Sequence, residues 1–497
     1  MQQSQLKTIS IALLAIGLLV FLLLGGIPAI YAFIASTRDY SPLFGLFGSP
    51  SVGFANFREF TSSPIFPRLL ANSFILSVAP SILAVIIAIP AAGAVGGMSA
   101  GRRRSATTVA LLLPAFIPDI VLAFIAQSIL SGQPLSSPTS FRIIIILLSA
   151  IKPASICAFV GACAAGLFRD KGKSVMHGAC AGVFVGIAVS IVRFLSGNFE
   201  LINLLYNPLV FSTADTLETY SFRQGMMMLN MSPASAAGVI RTLPQMLAAI
   251  VVSFIVLFCV RAGLSSSQTD SYHNEYGTQA GLVPGIIGTL VFAAGLLMPM
   301  AFSGSFNDGM LLQAIGNSAI TTVLAVILFS IMLFALAAWL CIHINKAWAL
   351  TLILILAALV SHWVGELLFF RNLGLANTHL AVAFANASNI TFILPLAYLA
   401  RLRSPDTSSF SNLVRAMCPY FIVFLGLFAA NTWGNYFPQM LHLFSRNLMG
   451  VPMLFRDASF MFGEPTIGLI LGVTVPILAI AAITGFVFVM TDRDKKC

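Results

Sequence analysis

Charge is scarce in this chain: only 8% of its 497 residues are Asp, Glu, Lys or Arg, whereas 58% are hydrophobic. Soluble domains usually carry roughly a quarter charged residues, so these few charges cannot cover a surface that faces water. The ten-residue alternation of a membrane β-strand is also missing. Instead, apolar runs of about twenty residues recur, and as helices these are long enough to cross a hydrocarbon core of about 30 Å. The composition predicts an all-α polytopic protein embedded in the lipid bilayer.

Motifs for catalysis and nucleotide binding are missing as well. The sequence contains no GxxxxGK[ST] loop, nucleophile elbow or zincin pattern. Its seven cysteines lack the spacing of a metal site. The net charge of +10 is spread over short clusters such as GRRRS at 101–105, so no basic face forms for nucleic acid. We therefore expect no enzyme activity, no metal or other cofactor in this chain, and no nucleic-acid partner.

About twelve apolar segments are predicted to span the membrane. Fifteen Lys and Arg residues fall in the predicted inner segments and eight in the outer loops, although the outer loops are longer. By the positive-inside rule, both termini are expected in the cytoplasm of a bacterial cell, with the protein in its inner membrane. The predicted spans are 8–34, 69–97, 107–131, 140–167, 177–197, 233–262, 282–303, 311–342, 348–370, 379–399, 415–437 and 465–490.

An internal repeat suggests two related halves. ANSFILSVAPSIL at 71–83 aligns without gaps to GNSAITTVLAVIL at 316–328, and both contain an Asn-Ser pair at the predicted outer start of a second span. An even number of spans separates the copies, so the halves are predicted to have parallel topology. The polar segment 263–281 is predicted to be a cytoplasmic linker between a first half, 1–262, and a second half, 282–497.

Several segments resemble carbohydrate-uptake ABC permeases. RDYSPLFGLFGSPSVGFANFREFTSSPIFPRLLANSFILS (38–77), LLLPAFIPDIVLAF (111–124) and LLYNPLVFSTADTLETYSFRQGM (204–226) resemble pieces of one permease subunit of the maltose-type family. FFRNLGLANTHLAVAF (369–384) and LFAANTWGNYFPQMLHLFSRNLMGVPMLFRD (427–457) resemble pieces of its partner subunit. The chain thus resembles two such permeases fused end to end, in the oligosaccharide or polysaccharide branch of the family.

The resemblance implies an importer with a pathway between the two halves. An extracytoplasmic solute-binding protein would deliver an oligosaccharide, and separate ATPase subunits would bind ATP. One departure is that the family's EAA coupling motif is degenerate: FRDKGKSVMHG (168–178) lacks Glu and an Ala pair, and 400–419 lacks Glu and Gly. An alternative is therefore a degenerate permease that acts as a non-transporting scaffold or accessory subunit. An ion-driven secondary transporter is a further alternative, but it predicts unwound half-helices that the sequence does not clearly show.

Charged residues within predicted spans are candidates for the substrate pathway, because burying a charge in lipid is costly. Asp119 and Lys152 both lie about 18 Å deep, from opposite faces, and are predicted to form an ion pair. The alternative to a role in the pathway is a structural clamp between adjacent antiparallel helices. His362 and Glu366 are four residues apart and are predicted to share one helix face. Alternatively, Glu366 lies at the outer interface.

Amide and arginine side chains complete the predicted pathway. Asn386 and Asn389 on one span, and Asn431, Trp433 and Asn435 at the end of the next, are suitable ligands for sugar hydroxyls. Interhelical hydrogen bonding is the alternative for these amides. Arg193 and Arg241 either hold an anionic glycan or extend toward the interface. The predicted pathway residues are Asp119, Lys152, Arg193, His362, Glu366, Asn386, Asn389, Asn431, Trp433 and Asn435.

Overall fold

The computed structural model describes residues 2–130, 133–265, 278–302, 310–360, 362–404, 409–461 and 465–491. These residues form helices joined by turns and short loops, and an isolated bridge pairs Arg38 with Ser51. The predicted all-α class is confirmed. The main helices are α1 (Thr8–Ser36), α2 (Phe66–Gly96), α3 (Arg102–Leu112), α4 (Asp119–Leu130), α5 (Pro138–Asp170), α6 (Val175–Val192), α7 (Met231–Ser265), α8 (Thr278–Leu297), α9 (Leu311–His343), α10 (Ala347–Leu359), α11 (Trp363–Asn372), α12 (His379–Ala387), α13 (Ile393–Arg403), α14 (Phe410–Trp433) and α15 (Ile467–Thr491).

Shorter helices lie in the connections, mostly on the predicted outer side, and one π-helical turn lies within α1. Their arrangement matters because several of them contribute side chains to the site described below. They are Gly45–Gly48, Ala55–Ser62, Gln133–Ser136, Phe199–Leu205, Phe211–Ala214, Leu217–Phe222, Phe437–His442 and Val451–Arg456, with 3₁₀ turns at Leu113–Phe116, Pro208–Val210, Met298–Phe302 and Arg446–Leu448 and π-helical turns at Leu22–Gly26, Arg223–Met227 and Asp457–Met461.

Within the described residues, nine helices are long and apolar enough to cross a membrane, and two bent pairs raise the number to eleven. The protein is therefore a multi-pass helical membrane protein. The segment Arg102–Phe116, which contains α3, meets α4 at 71°, and α10 and α11 meet at 77°. The predicted span 379–399 is not one continuous helix, because these residues form two short helices, α12 and α13, separated by 388–392. The nine residues of α12 extend only about 14 Å.

Local chemistry explains two of the three helix breaks. Before Pro118, Ile117 adopts an extended conformation, as residues that precede proline generally do. Between α12 and α13, the Asn389 side chain accepts hydrogen bonds from the backbone N–H and the hydroxyl of Thr391, which competes with helix formation. At the third break, Val360 is extended and no proline is present. The sequence did not clearly show half-helices, and the structure contains them.

Small residues bring α2, α5 and α6 close together. A side chain at Gly161 would meet Ala92 and Val183 at 2.7 Å, and one at Gly182 would meet the backbone of Gly161 at the same distance. Such close approach of backbones is typical of helices that pack inside a membrane. These contacts position the middle of α5, which carries Lys152, beside its neighbouring helices.

The two Asn-Ser pairs of the sequence repeat make matching contacts. The Asn72 side-chain amide donates to the carbonyls of Ser212 and Asp215 at 3.1 and 3.0 Å, and the Ser73 hydroxyl accepts from the Leu217 N–H. In the second copy, the Asn317 amide donates to the carbonyls of Asn447 and Met449 at 2.8 and 3.0 Å, and Ser318 accepts from the Val451 N–H. Each pair therefore anchors the loop that precedes the last long helix of its predicted half. Residues 266–277 of the predicted linker lie outside the described residues.

We expect both Asn72→Ala and Asn317→Ala to destabilise the protein, with the larger loss at Asn72. Each substitution removes two hydrogen bonds to loop carbonyls, at a cost of about 1–3 kcal/mol. Asn72→Ala also removes the side-chain oxygen that accepts from Arg142 at 2.7 Å. Thermal unfolding of the purified chain in detergent measures the effect. The exposed amide Asn372 provides the matched control, for which Asn372→Ala should change stability by less than about 0.5 kcal/mol. A clear loss at one asparagine and none at the other would contradict the equivalence of the two anchors.

Candidate functional site

A polar cavity of about 460 Å³ lies among the helices. This volume is within the roughly 300–1,000 Å³ of ordinary small-molecule sites. Its walls come from α2, α4, α5, α6 and α7 on one side of the predicted linker and from α11, α12 and α14 on the other, with the loops that precede α7, α13 and α15. The cavity is thus lined by residues from both predicted halves.

Lys152 lies at the centre of a hydrogen-bonded group of side chains in the cavity wall, and this group links several helices. Its ammonium nitrogen is 2.9 Å from the Asp119 carboxylate and donates to the Asn431 side-chain oxygen at 2.9 Å. Asp119 begins α4, directly after the break at Pro118, and its other oxygen accepts from the Asn198 amide at 3.2 Å. The predicted ion pair is present, and Asn431 connects it to α14. A role of these residues in substrate binding stays a prediction.

A second group of charges lies where α7 and α11 meet the cavity. The Arg241 guanidinium forms an ion pair with Glu218, and both side chains are buried. Arg193, at the end of α6, interacts electrostatically with Glu366 in the first turn of α11. Glu218 is held here because Ser73 accepts from the N–H of the preceding residue, Leu217. The Asn72-Ser73 pair of the first half therefore helps to place the Glu218 carboxylate at the cavity.

Amide side chains line the opposite wall. Asn435 donates to the Asn386 side-chain oxygen at 3.0 Å and accepts from the Phe437 N–H. The Asn386 amide also donates to the Val382 carbonyl, and Asn389 stabilises the turn between α12 and α13. These contacts satisfy only part of the hydrogen-bonding capacity of each amide, so the remaining lone pairs and protons are available to a ligand.

Aromatic rings lie beside these polar groups. Phe199, Trp363, Phe428 and Phe437 line the cavity, and the rings of Phe199 and Phe437 pack edge to face with their centroids 4.8 Å apart. An apolar ring face next to amides and carboxylates matches a sugar, which presents both C–H groups and hydroxyls.

Two predicted pathway residues lie outside the cavity. His362 is buried behind it, with its Nε2 atom 3.2 Å from the Thr242 hydroxyl. The prediction that His362 and Glu366 share a helix face is wrong, because α11 begins only after His362. Trp433 points toward α15, where its indole N–H donates to the Gly472 carbonyl.

The other eight predicted pathway residues line the cavity: Asp119, Lys152, Arg193, Glu366, Asn386, Asn389, Asn431 and Asn435.

Among the cavity residues that sequence reasoning missed are Asn198, Glu200, Glu218 and Trp363. The first three lie in the predicted outer loop 198–232, where a charged or amide residue is ordinarily solvated. A usable signal was that carboxylates are rare in this chain, yet the loop contains several of its 16 acidic residues.

Glu200 differs from the other cavity carboxylates in its protonation. Partial burial raises the pKa of Glu200 to about 8, and the neighbouring Asp119 carboxylate raises it further against the opposing effect of Lys152. Near neutral pH this carboxyl is therefore mainly protonated and is able to donate a hydrogen bond to a ligand. Among the residues that the structure describes, no three His, Cys, Asp or Glu side chains are grouped as a metal site requires.

Comparison with known proteins finds partial matches. No protein-family model matches the chain. Protein LplB of Bacillus subtilis (strain 168) is 26% identical over 283 residues, which cover 50% of this chain and 85% of LplB. A crystal structure of a bacterial alginate ABC transporter, in complex with an alginate pentasaccharide-bound periplasmic protein, shows 24% identity and a TM-score of 0.35, covering 44% of this chain and 84% of that one. A crystal structure of a bacterial ABC transporter involved in the import of the acidic polysaccharide alginate shows 22% identity and a TM-score of 0.34, covering 50% and 93%.

Proposed function

We propose that this chain is the membrane-spanning permease of an ABC-type importer for oligosaccharides. It would receive substrate from an extracytoplasmic binding protein and be powered by separate ATPase subunits. The observation that carries the proposal is the cavity of about 460 Å³, in which amides, carboxylates and aromatic rings face one space within an otherwise apolar helical protein. Polar groups are costly at membrane depth, so their convergence on one cavity favours a binding function.

Two observations support the proposal that the chain joins two permease units. The alignment with LplB covers 85% of LplB but only 50% of this chain. In addition, the Asn-Ser pairs at 72–73 and 317–318 make matching contacts to their respective loops. In this arrangement the cavity would lie where the two units meet, with ion pairs supplied mainly by the first and amides by the second.

The short turn between α5 and α6, on the predicted cytoplasmic side, favours a second candidate function. Between α5 and α6 only the four residues 171–174 intervene, and the Lys171 ammonium donates to the Leu402 carbonyl, which holds this turn against the end of α13. Such a turn has no helix of its own to dock into an ATPase. A degenerate permease that serves as an accessory subunit of a membrane complex is therefore the alternative.

Purification of the tagged full-length chain from native membranes separates the two candidates. We expect an ATPase subunit of the ABC type to remain bound in mild detergent and to be recovered in stoichiometric amount. An unrelated stable partner, recovered without any ATPase, would favour the accessory subunit. A tagged membrane protein of another class, expressed at the same level, controls for non-specific recovery.

The cavity itself is tested by ligand binding to variants. We expect Asn386→Ala and Glu200→Ala to weaken oligosaccharide binding about tenfold, since each removes a hydrogen bond of about 1.5 kcal/mol. Calorimetric titration of the purified chain with a panel of trisaccharides measures the affinity. Asn372→Ala removes an amide that is exposed outside the cavity and should leave the affinity unchanged. Equal affinities for all three variants and the wild type would contradict binding in this cavity.

A further inference from the structure

Each cationic side chain of the cavity already faces a carboxylate of the same chain. Lys152 is 2.9 Å from Asp119, and Arg241 is paired with Glu218. Arg193 interacts electrostatically with Glu366. The described residues thus contribute three cations to the cavity, and all three are compensated within the protein.

Among the described residues that line the cavity, no cation is left over for an acidic ligand. Glu200 is a fourth carboxyl beside Asp119, but it is mainly protonated near neutral pH and therefore needs no cation of its own. A ligand that carries carboxylates would have to displace Glu218 or Glu366 from its arginine. Both of these side chains are only 7% exposed, so the displaced charge would remain buried without a partner. The arrangement opposes the binding of an anionic ligand.

An uncharged sugar meets no such conflict. A carboxylate that is paired with a cation keeps free lone pairs, which accept hydrogen bonds from sugar hydroxyls. On the opposite wall, Asn386, Asn389 and Asn435 both donate and accept, and the Phe428 and Trp363 rings offer apolar faces. Hydroxyl groups can therefore be satisfied while the ion pairs remain intact.

We propose that the cavity selects an uncharged oligosaccharide and discriminates against acidic glycans such as uronate oligomers. The inference rests on the proposed function, because it names the class of glycan that the proposed permease accepts. The sequence left open whether Arg193 and Arg241 hold an anionic glycan. Under this inference they do not, because both arginines balance carboxylates of the protein itself.

The test compares uncharged and acidic ligands of equal length. The full-length chain is reconstituted in nanodiscs of phosphatidylcholine and titrated by calorimetry with maltotriose, cellotriose, xylotriose, mannotriose and trigalacturonate. We expect at least one uncharged trisaccharide to bind more than about tenfold tighter than trigalacturonate. The affinity of that uncharged trisaccharide should change less than about twofold between low and high salt, because the ligand carries no charge for salt to screen.

The possible failures are distinguishable. Tighter or equal binding of trigalacturonate overturns the inference but leaves a glycan-binding permease in place. Absence of binding by all five ligands contradicts the proposed function, and the inference falls with it.

Charge-removing variants provide an independent test on the same nanodiscs. Glu218→Gln and Glu366→Gln each remove the carboxylate that faces an arginine. We expect either variant to bind trigalacturonate at least about tenfold tighter than the wild type, with an affinity that falls as salt increases. Glu366→Gln keeps the test decisive if Glu218→Gln fails to fold. The control Glu59→Gln removes the same charge from an exposed position in the outer loop and should bind like the wild type. A folded variant without this gain overturns the inference.

Discussion

Replacing either member of the Asp119–Lys152 pair with alanine is expected to destabilise the protein by about 3 kcal/mol, at the lower end of the range for breaking a buried ion pair. The side chains are 16% and 19% exposed, so water from the cavity reaches the remaining charge and reduces the penalty. Lys152 has a second acceptor in Asn431, and Asp119 has a second donor in Asn198, so each substitution also removes a hydrogen bond. Chemical or thermal unfolding in detergent measures the loss.

The double variants identify the interaction. Asp119→Ala combined with Lys152→Ala removes both charges, so its cost should be clearly smaller than the sum of the two single costs. The exchanged pair, Asp119→Lys with Lys152→Asp, should recover part of the loss. Glu59→Ala removes an exposed carboxylate and serves as the control, with an expected change below about 0.5 kcal/mol. Strict additivity of the single variants would show that the two residues act independently.

The depth of the charged residues in the membrane is the property of the site that the sequence predicts well. A helix rises 1.5 Å per residue, so counting from the ends of a span brings Asp119 and Lys152 to the same level. Charged and amide groups at that level avoid lipid, which predicts that they face the interior. In the structure, Arg193, Glu366 and Asn431 line the same cavity.

The direction in which a side chain points from its helix is harder to predict, because a break in the helix changes that direction. Spacing by four residues places two side chains on one face only in a continuous helix. The backbone at His362 is not helical, so this residue points toward Thr242 while Glu366 faces the cavity. No proline marks this break, which depends on tertiary packing. In contrast, Pro118 marks the break before α4 in the sequence itself.

The contacts of the loops depend on long-range packing. The aligned segments 71–83 and 316–328 identify the Asn-Ser pairs, but the sequence does not show which carbonyls they bind. In the structure, each pair contacts a loop more than a hundred residues away in the chain. Glu218 reaches the cavity through such a contact, which is why local patterns did not indicate it.

Arg241→Met is expected to have the largest effect of any single substitution in the cavity, about 4 kcal/mol, within the range for breaking a buried ion pair. The Arg241 side chain is only 1% exposed, whereas Lys152 is 19% exposed, so little water reaches the site to stabilise the remaining Glu218. Methionine keeps much of the apolar stem of arginine and therefore isolates the loss of charge. Unfolding in detergent measures the cost, and Arg58→Met is the control at an exposed arginine of the outer loop.

A second measurement locates the damage caused by Arg241→Met. Glu218 belongs to the helix Leu217–Phe222, so the loss of its partner should loosen this segment before the rest of the protein unfolds. Brief trypsin treatment should then cut after Arg223, one residue beyond that helix, faster than in the wild type. Adding Glu218→Gln to Arg241→Met removes the unpaired charge and should restore most of the stability and the resistance to trypsin. If the double variant is as unstable as Arg241→Met alone, the penalty comes from lost packing of the arginine and not from an unpaired carboxylate.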